Sequence, residues 1–100
     1  MDAEISPKAV AQLLASGVQL NLIDVREVDE FTGGHIPGAV NIPLNVLQIR
    51  AGEIDRTAEH IVVCLSGSRS AMATGLLASA GYRVRNMRGG MMNWRGPVAY

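Results

Sequence analysis

The stretch Ile61-Val62-Val63-Cys64-Leu65-Ser66-Gly67-Ser68-Arg69-Ser70 decides the fold. Three β-branched residues in a row read as a strand buried on both faces, since no polar residue alternates with them. A turn of small residues follows. Beyond it Met72, Ala73, Leu76, Leu77 and Ala80 recur at helical spacing, and Gly81 stops the helix. A buried strand that turns straight into a helix is half of a parallel strand–helix–strand unit.

The same alternation extends both ways. Upstream, Ser6-Pro7 supplies a helix N-cap and first helical position, Val10, Leu13 and Leu14 share one helix face, and Gly17 closes it. Residues 20–25 read as a short buried strand containing Asp24, and 27–32 as a brief helix cut by Gly33-Gly34. A second short strand spans 40–42 between Pro37-Gly38 and Pro43. A helix over 44–50 follows, with Leu44, Val46 and Leu47 inward. Downstream, 82–87 is the last strand, and Gly89-Gly90 precedes a short helix containing Trp94. The pattern predicts an α/β domain whose parallel sheet is covered on both faces. No segment reads as a linker, repeat or low-complexity tract, so residues 1–100 are expected to form one domain.

Composition excludes several classes of function. A chain with 48% hydrophobic and 18% charged residues is an ordinary globular sequence. Zero net charge gives no electrostatic footprint for nucleic acid or an anionic membrane. No apolar run reaches the length of a membrane span, and no charged segment leads into an apolar stretch at the start. The expectation is a cytoplasmic protein with neither a nucleic-acid nor a membrane partner. A single cysteine rules out an intrachain disulfide or a cysteine metal cluster, and His35 and His60 lack ligand spacing, so no metal and no cofactor is expected. Lys8 is the only lysine; all other basic residues are arginines, the planar choice for anions.

Cys64 lies where a parallel strand ends, the rim at which α/β sheets bind ligands. The reactive form of cysteine is the thiolate, and lowering its pKa by about two units requires roughly 2.7 kcal/mol. A helix N-terminus supplies about 0.3–1 kcal/mol, or up to ~2 when partly buried. The dipole alone is therefore marginal, and two further contributors are at hand. Successive backbone N–H groups can curl around the sulfur, with Gly67 permitting the curl, and Arg69 carries a guanidinium. Ser66, Ser68 and Ser70 are small enough to admit an anion and can donate to it. The bland alternative is a small buried hydrophobe at a strand end; the glycine, serines and arginine that follow Cys64 argue against it.

With these residues in place, C-x-x-G-x-R-S over 64–70 resembles the active-site loop of rhodaneses. Asp24-Val25-Arg26 through Phe31, then Gly34-His35-Ile36-Pro37-Gly38-Ala39 and Asn41-Ile42-Pro43, are similar to that family's second signature. Gly81-Tyr82, Gly89-Gly90 and Trp94 match its ending, so the resemblance covers about 4–97. It implies a three-layer domain with a central, mostly parallel sheet of about five strands flanked by helices. It also implies an enzyme, a thiosulfate sulfurtransferase. Cys64 takes a sulfane sulfur from a small anionic donor as a persulfide, then passes it to cyanide or an external thiol. Backbone N–H groups from Leu65 to Arg69 (through Ser66, Gly67 and Ser68) would hold the persulfide, Arg69 the donor, and Ser70 would close the loop. With one cysteine, no internal thiol can discharge the persulfide, so the acceptor comes from outside. A sulfur carrier or docking module charged by a partner protein is the alternative. Phosphatases and arsenate reductases of related fold carry one more residue between cysteine and arginine, and no loop aspartate stands here as their general acid.

Other polar residues carry a bland and a functional reading side by side. Asp24 and Arg26 could touch substrate, but an internal pair that fixes a turn is the simpler role. His35, in a tight turn, reads as structural before it reads as a base. Arg88, just before Gly89-Gly90, is a candidate donor-binding residue set against a solvated charge. Arg83 and Arg85 read as solvated, Met91, Met92 and Trp94 as packing of a terminal helix, and His60 as without a function.

Overall fold

The structure, a computed structural model, describes residues 3–100. Five strands form one sheet: β1 (Glu4–Ile5), β2 (Leu22–Asp24), β3 (Val40–Asn41), β4 (Glu59–Val63) and β5 (Arg83–Met87). Their order is β1-β5-β4-β2-β3, and every pairing is parallel. The helices are α1 (Pro7–Ala15), α2 (Val28–Thr32), α3 (Leu47–Arg50) and α4 (Ser68–Ser79). Short 3₁₀ turns at Leu44–Val46, Ala51–Glu53 and Gly90–Asn93 complete the chain.

β4 is the centre of the sheet, and its side chains alternate between two cores. Ile61 and Val63 face one core with Val10 of α1, Ile36, Met87 and Trp94. Val62 and Cys64 face the other with Ala73 and Leu77 of α4, Leu47 of α3, Ile54 and Tyr82. This is the expected sheet covered on both faces. Ser6 caps α1 through its side chain, which accepts from Ala9 N–H at 3.1 Å, and Gly17 follows with φ +84°. The expected helix over 44–50 begins as a 3₁₀ turn and becomes α-helical only at Leu47.

Four readings need correction. The first strand, β1, precedes Ser6; its two residues pair in register with Asn86 and Met87 and carry no period a sequence could display. In α4 the buried side chains are Ser70, Ala73, Thr74 and Leu77, whereas Met72 and Leu76 are 62% and 41% exposed. The buried stripe of α4 is thus partly polar: Ser70, in the first turn, faces the cysteine loop, and Thr74 satisfies its hydroxyl on Ser70 O. Arg85 is not simply solvated: it is half-buried and Nη2 reaches Glu59 at 3.1 Å. Trp94 packs into the core as expected, but Met92 stays 66% exposed. No helix is long and apolar enough to cross a membrane among the described residues.

Candidate active site

Cys64 follows the last residue of β4, and its side chain is fully buried. The chain then turns over Leu65, Ser66 and Gly67 into α4. Gly67 has φ +101°, a conformation that side chains rarely adopt, and this turns its N–H back onto Cys64 Sγ at 3.0 Å. Ser70, one turn into α4, places Oγ 3.2 Å from the same sulfur. Burial alone would push the thiol pKa up. Donation from the Ser70 hydroxyl and from backbone N–H groups of Ser70, Gly67 and Ser66 outweighs it, and the pKa lies below the ordinary cysteine value.

Ser70 has one hydroxyl proton and three acceptors: Cys64 Sγ, Gly67 O at 3.2 Å and Asn86 Oδ1 at 2.5 Å. A thiolate is the strongest acceptor of the three, so ionisation of Cys64 draws that proton to sulfur. Asn86, on β5, is a buried polar residue that the sequence reading missed. It also reaches Gly67 O through Nδ2 at 3.4 Å, tying the loop to the neighbouring strand.

A second segment braces the loop from behind. Met91 N–H donates to Cys64 O at 2.8 Å and Met92 N–H to Leu65 O at 2.9 Å. This close approach requires Gly90: a Cβ there would stand 2.5 Å from both carbonyl oxygens. Gly67 likewise lies against Gly89, whose N would be 3.0 Å from an added Cβ. The two C-terminal glycines, separate in sequence from the loop, thus complete the loop's wall.

Arg69 is half-buried at the mouth. Its Nη1 and Nη2 reach Glu30 Oε1 and Oε2 at 2.7 and 2.9 Å. Glu30 is another residue the sequence reading missed. It is also the third residue of α2, where Oε1 accepts from Glu27 N–H at 2.9 Å in a capping box. The Arg69 guanidinium holds the Glu30 carboxyl at about 2, against partial desolvation. Ser66 and Ser68 are exposed on the turn with their hydroxyls 3.2 Å apart, and Leu65 is 41% exposed beside them. Of the loop residues, Gly67 and Ser70 contact the sulfur, Leu65, Ser66 and Ser68 lie exposed along the turn, and Arg69 stands at the mouth. Arg88 is set apart: it is exposed, and its Nη1 points to Glu4 of β1 at 3.8 Å.

The remaining candidates have structural places. Asp24 and Arg26 form a buried pair at 2.8 Å, and Arg26 Nη2 also donates to Gly34 O at 2.8 Å. Asn41 Nδ2 donates to the carbonyls of both Asp24 and Arg26, closing the turn after β2. The His35 ring stacks on Phe31 at 3.7 Å, with Nδ1 2.9 Å from Phe31 O. His60 is buried with Nδ1 3.0 Å from Ala58 O. Among the described residues, no group of three or more His, Cys, Asp or Glu side chains could hold a metal ion.

The rhodanese-like domain family matches residues 6–97. A sulfurtransferase of Allochromatium vinosum is 37% identical over 92 residues, covering 91% of this chain and 86% of that one. YrkF of Bacillus subtilis, whose name proposes a sulfur carrier, is 42% identical over 94 residues; the match takes in 93% of this chain but only 51% of YrkF. This chain thus spans about half the length of that relative. Among solved structures, a rhodanese-like domain protein from Staphylococcus aureus superposes with a TM-score of 0.88 at 27% identity, covering 96% of this chain and 93% of the other.

Proposed function

The chain belongs to the rhodanese-like domain family, and from that membership we propose that it is a sulfurtransferase in which Cys64 carries the sulfur as a persulfide. In the proposed cycle the Cys64 thiolate attacks the sulfane sulfur of a donor such as thiosulfate. The donor's S–S bond breaks, sulfite leaves with the electron pair, and Cys64–S–S⁻ remains. Attack by cyanide or an external thiol on the outer sulfur then regenerates the thiolate. Backbone N–H groups from Leu65 to Arg69 stabilise the persulfide anion in this reading, Arg69 orients the donor and Ser70 donates to the sulfur that becomes anionic. Arg88, turned toward Glu4, would contribute only after leaving that partner.

The observation that carries the proposal is the pair of donors on a buried sulfur: Gly67 N–H at 3.0 Å and Ser70 Oγ at 3.2 Å. A cysteine that merely filled space would not collect polar donors in a core. The loop also favours sulfur over phosphate. Four residues separate Cys64 from Arg69, one fewer than in phosphatases and arsenate reductases of related fold.

Incubation with thiosulfate followed by intact-mass measurement tests the reading. One sulfur atom is expected on the native chain, none on Cys64→Ser, and cyanide should remove it. No gain on the native chain would sink autonomous thiosulfate chemistry. The name of YrkF favours a second reading, in which a partner protein loads the same cysteine. Loading by a persulfidated protein, without loading by thiosulfate, would select it.

A further inference from the structure

Arg69 is the cation nearest the cysteine loop, and both of its terminal nitrogens are committed to one carboxylate. That carboxylate cannot swing away at no cost, because the capping box of α2 holds Glu30 Oε1 on Glu27 N–H. The other charges near the mouth do not restore a positive field. Arg26 is matched by Asp24, and Glu27 adds a further negative charge close enough to raise the pKa of Arg69. Arg69 and Glu30 cancel, Arg26 and Asp24 cancel, and these side chains leave the mouth with no net positive charge.

Donor chemistry responds strongly to that balance. Thiosulfate meets the Cys64 thiolate as a dianion, so the reacting pair carries three negative charges from encounter to products, Cys64–S–S⁻ and sulfite. A protonated organic persulfide, R–S–SH, brings no charge at its reacting end. The thiolate attacks the outer sulfur, the persulfide's S–S bond breaks, and R–S⁻ leaves with the electron pair. Cys64–S–SH is formed, and only one negative charge is present throughout. A neutral mouth suits the second reaction far better than the first. The rim agrees, since Leu65 and Met92, joined by the Met92 N–H to Leu65 O bond, are 41% and 66% exposed and offer apolar contact to an organic R group.

Resting on the sulfur-transfer reading, we infer that Glu30 is a specificity-determining residue. By neutralising Arg69 it turns the Cys64 loop toward low-charge organic persulfides and away from dianionic thiosulfate. The test compares second-order rate constants for sulfur gain on Cys64 from cysteine persulfide and from thiosulfate, in the native chain and in Glu30→Gln, at low and high salt. Gln keeps the cap on Glu27 N–H and one contact to Arg69 while removing the charge. The ratio of the thiosulfate to the persulfide constant should rise about tenfold in Glu30→Gln at low salt. With thiosulfate, the native constant should stay level or rise as salt is added, and the variant's should fall, which a merely structural role would not produce. An unchanged or lowered ratio in Glu30→Gln overturns the inference. So does a native thiosulfate constant that falls with salt, a measurement that needs no substitution. Failure of both donors to place sulfur on Cys64 would instead remove the sulfur-transfer reading, and the inference with it.

Discussion

Arg26 and Arg69 each follow one of two strands that lie side by side in the sheet, and each reaches both oxygens of a carboxylate. The Asp24–Arg26 pair is two residues apart and its side chains are 1% and 6% exposed. The Arg69–Glu30 pair joins residues 39 apart, with 33% and 28% exposure. In the first pair both carboxylate oxygens and the Arg26 Nε and Nη2 have internal partners, Gly34 O among them, and Arg26 N–H donates to Asp24 Oδ1 at 3.0 Å. Its work is to lock the turn after β2. The second pair stands in contact with solvent at the mouth of the cysteine loop, where a charge can still act on a visitor. The same chemical pairing is structural where it is sealed and available to function where it is not.

The comparison breaks most visibly if the sealed pair is opened. Asp24→Asn leaves the Arg26 guanidinium buried without a counter-charge, and a loss of about 3–5 kcal/mol is expected in denaturant melts. A loss under about 1 kcal/mol would mean that the turn tolerates a lone buried charge. Next in size is the brace behind the loop. Gly90 sits at φ +61° with two carbonyl oxygens against its α-carbon, so Gly90→Ala should lose more than about 2 kcal/mol and slow sulfur loading as the loop shifts. The smallest effect belongs to the open pair. Glu30→Gln should cost less than about 1 kcal/mol, because a half-exposed ion pair is offset by solvation and side-chain entropy.

Acid sharpens the same contrast. The Glu30 carboxyl is lowered to about 2, so the stability its ionised form contributes is fully present above its ordinary value near 4.5. That contribution is lost as pH falls through about 2. The stability gap between the native chain and Glu30→Gln should therefore shrink as acid melts are taken from pH 5 toward 2. A gap that widened instead would contradict the ion pair.

What the sequence displayed and what it hid follow the same division between local and distant. The strand–turn–helix around Cys64 was legible, because β-branched runs, a serine cap with proline, and glycines all act within a few residues. Glu30 was hidden, since its meaning comes from Arg69 and no local pattern links two residues so far apart. Asn86 was hidden for the same reason: it reads as a polar residue in a strand until β5 is placed beside the loop. The inward face of α4 was misread because Ser70 is buried against the loop and Thr74 turns its hydroxyl onto Ser70 O within the helix, which breaks the apolar stripe that periodicity relies on. β1 was missed because a two-residue strand is defined by its partner alone. Gly89-Gly90 was visible as a motif, but the carbonyl oxygens that forbid a side chain there became visible only with the fold.

All of these elements bear on how the loop holds a negative sulfur, and titration of Cys64 tests that most directly. The rate of alkylation, or thiolate absorbance, would be followed against pH in the native chain and in Ser70→Ala. A native midpoint below the ordinary cysteine value of about 8.5 is expected, moving upward when the Ser70 hydroxyl is removed. A native midpoint at or above that value, or one indifferent to Ser70, would show that burial outweighs the donors around Cys64 and would contradict the anion cradle.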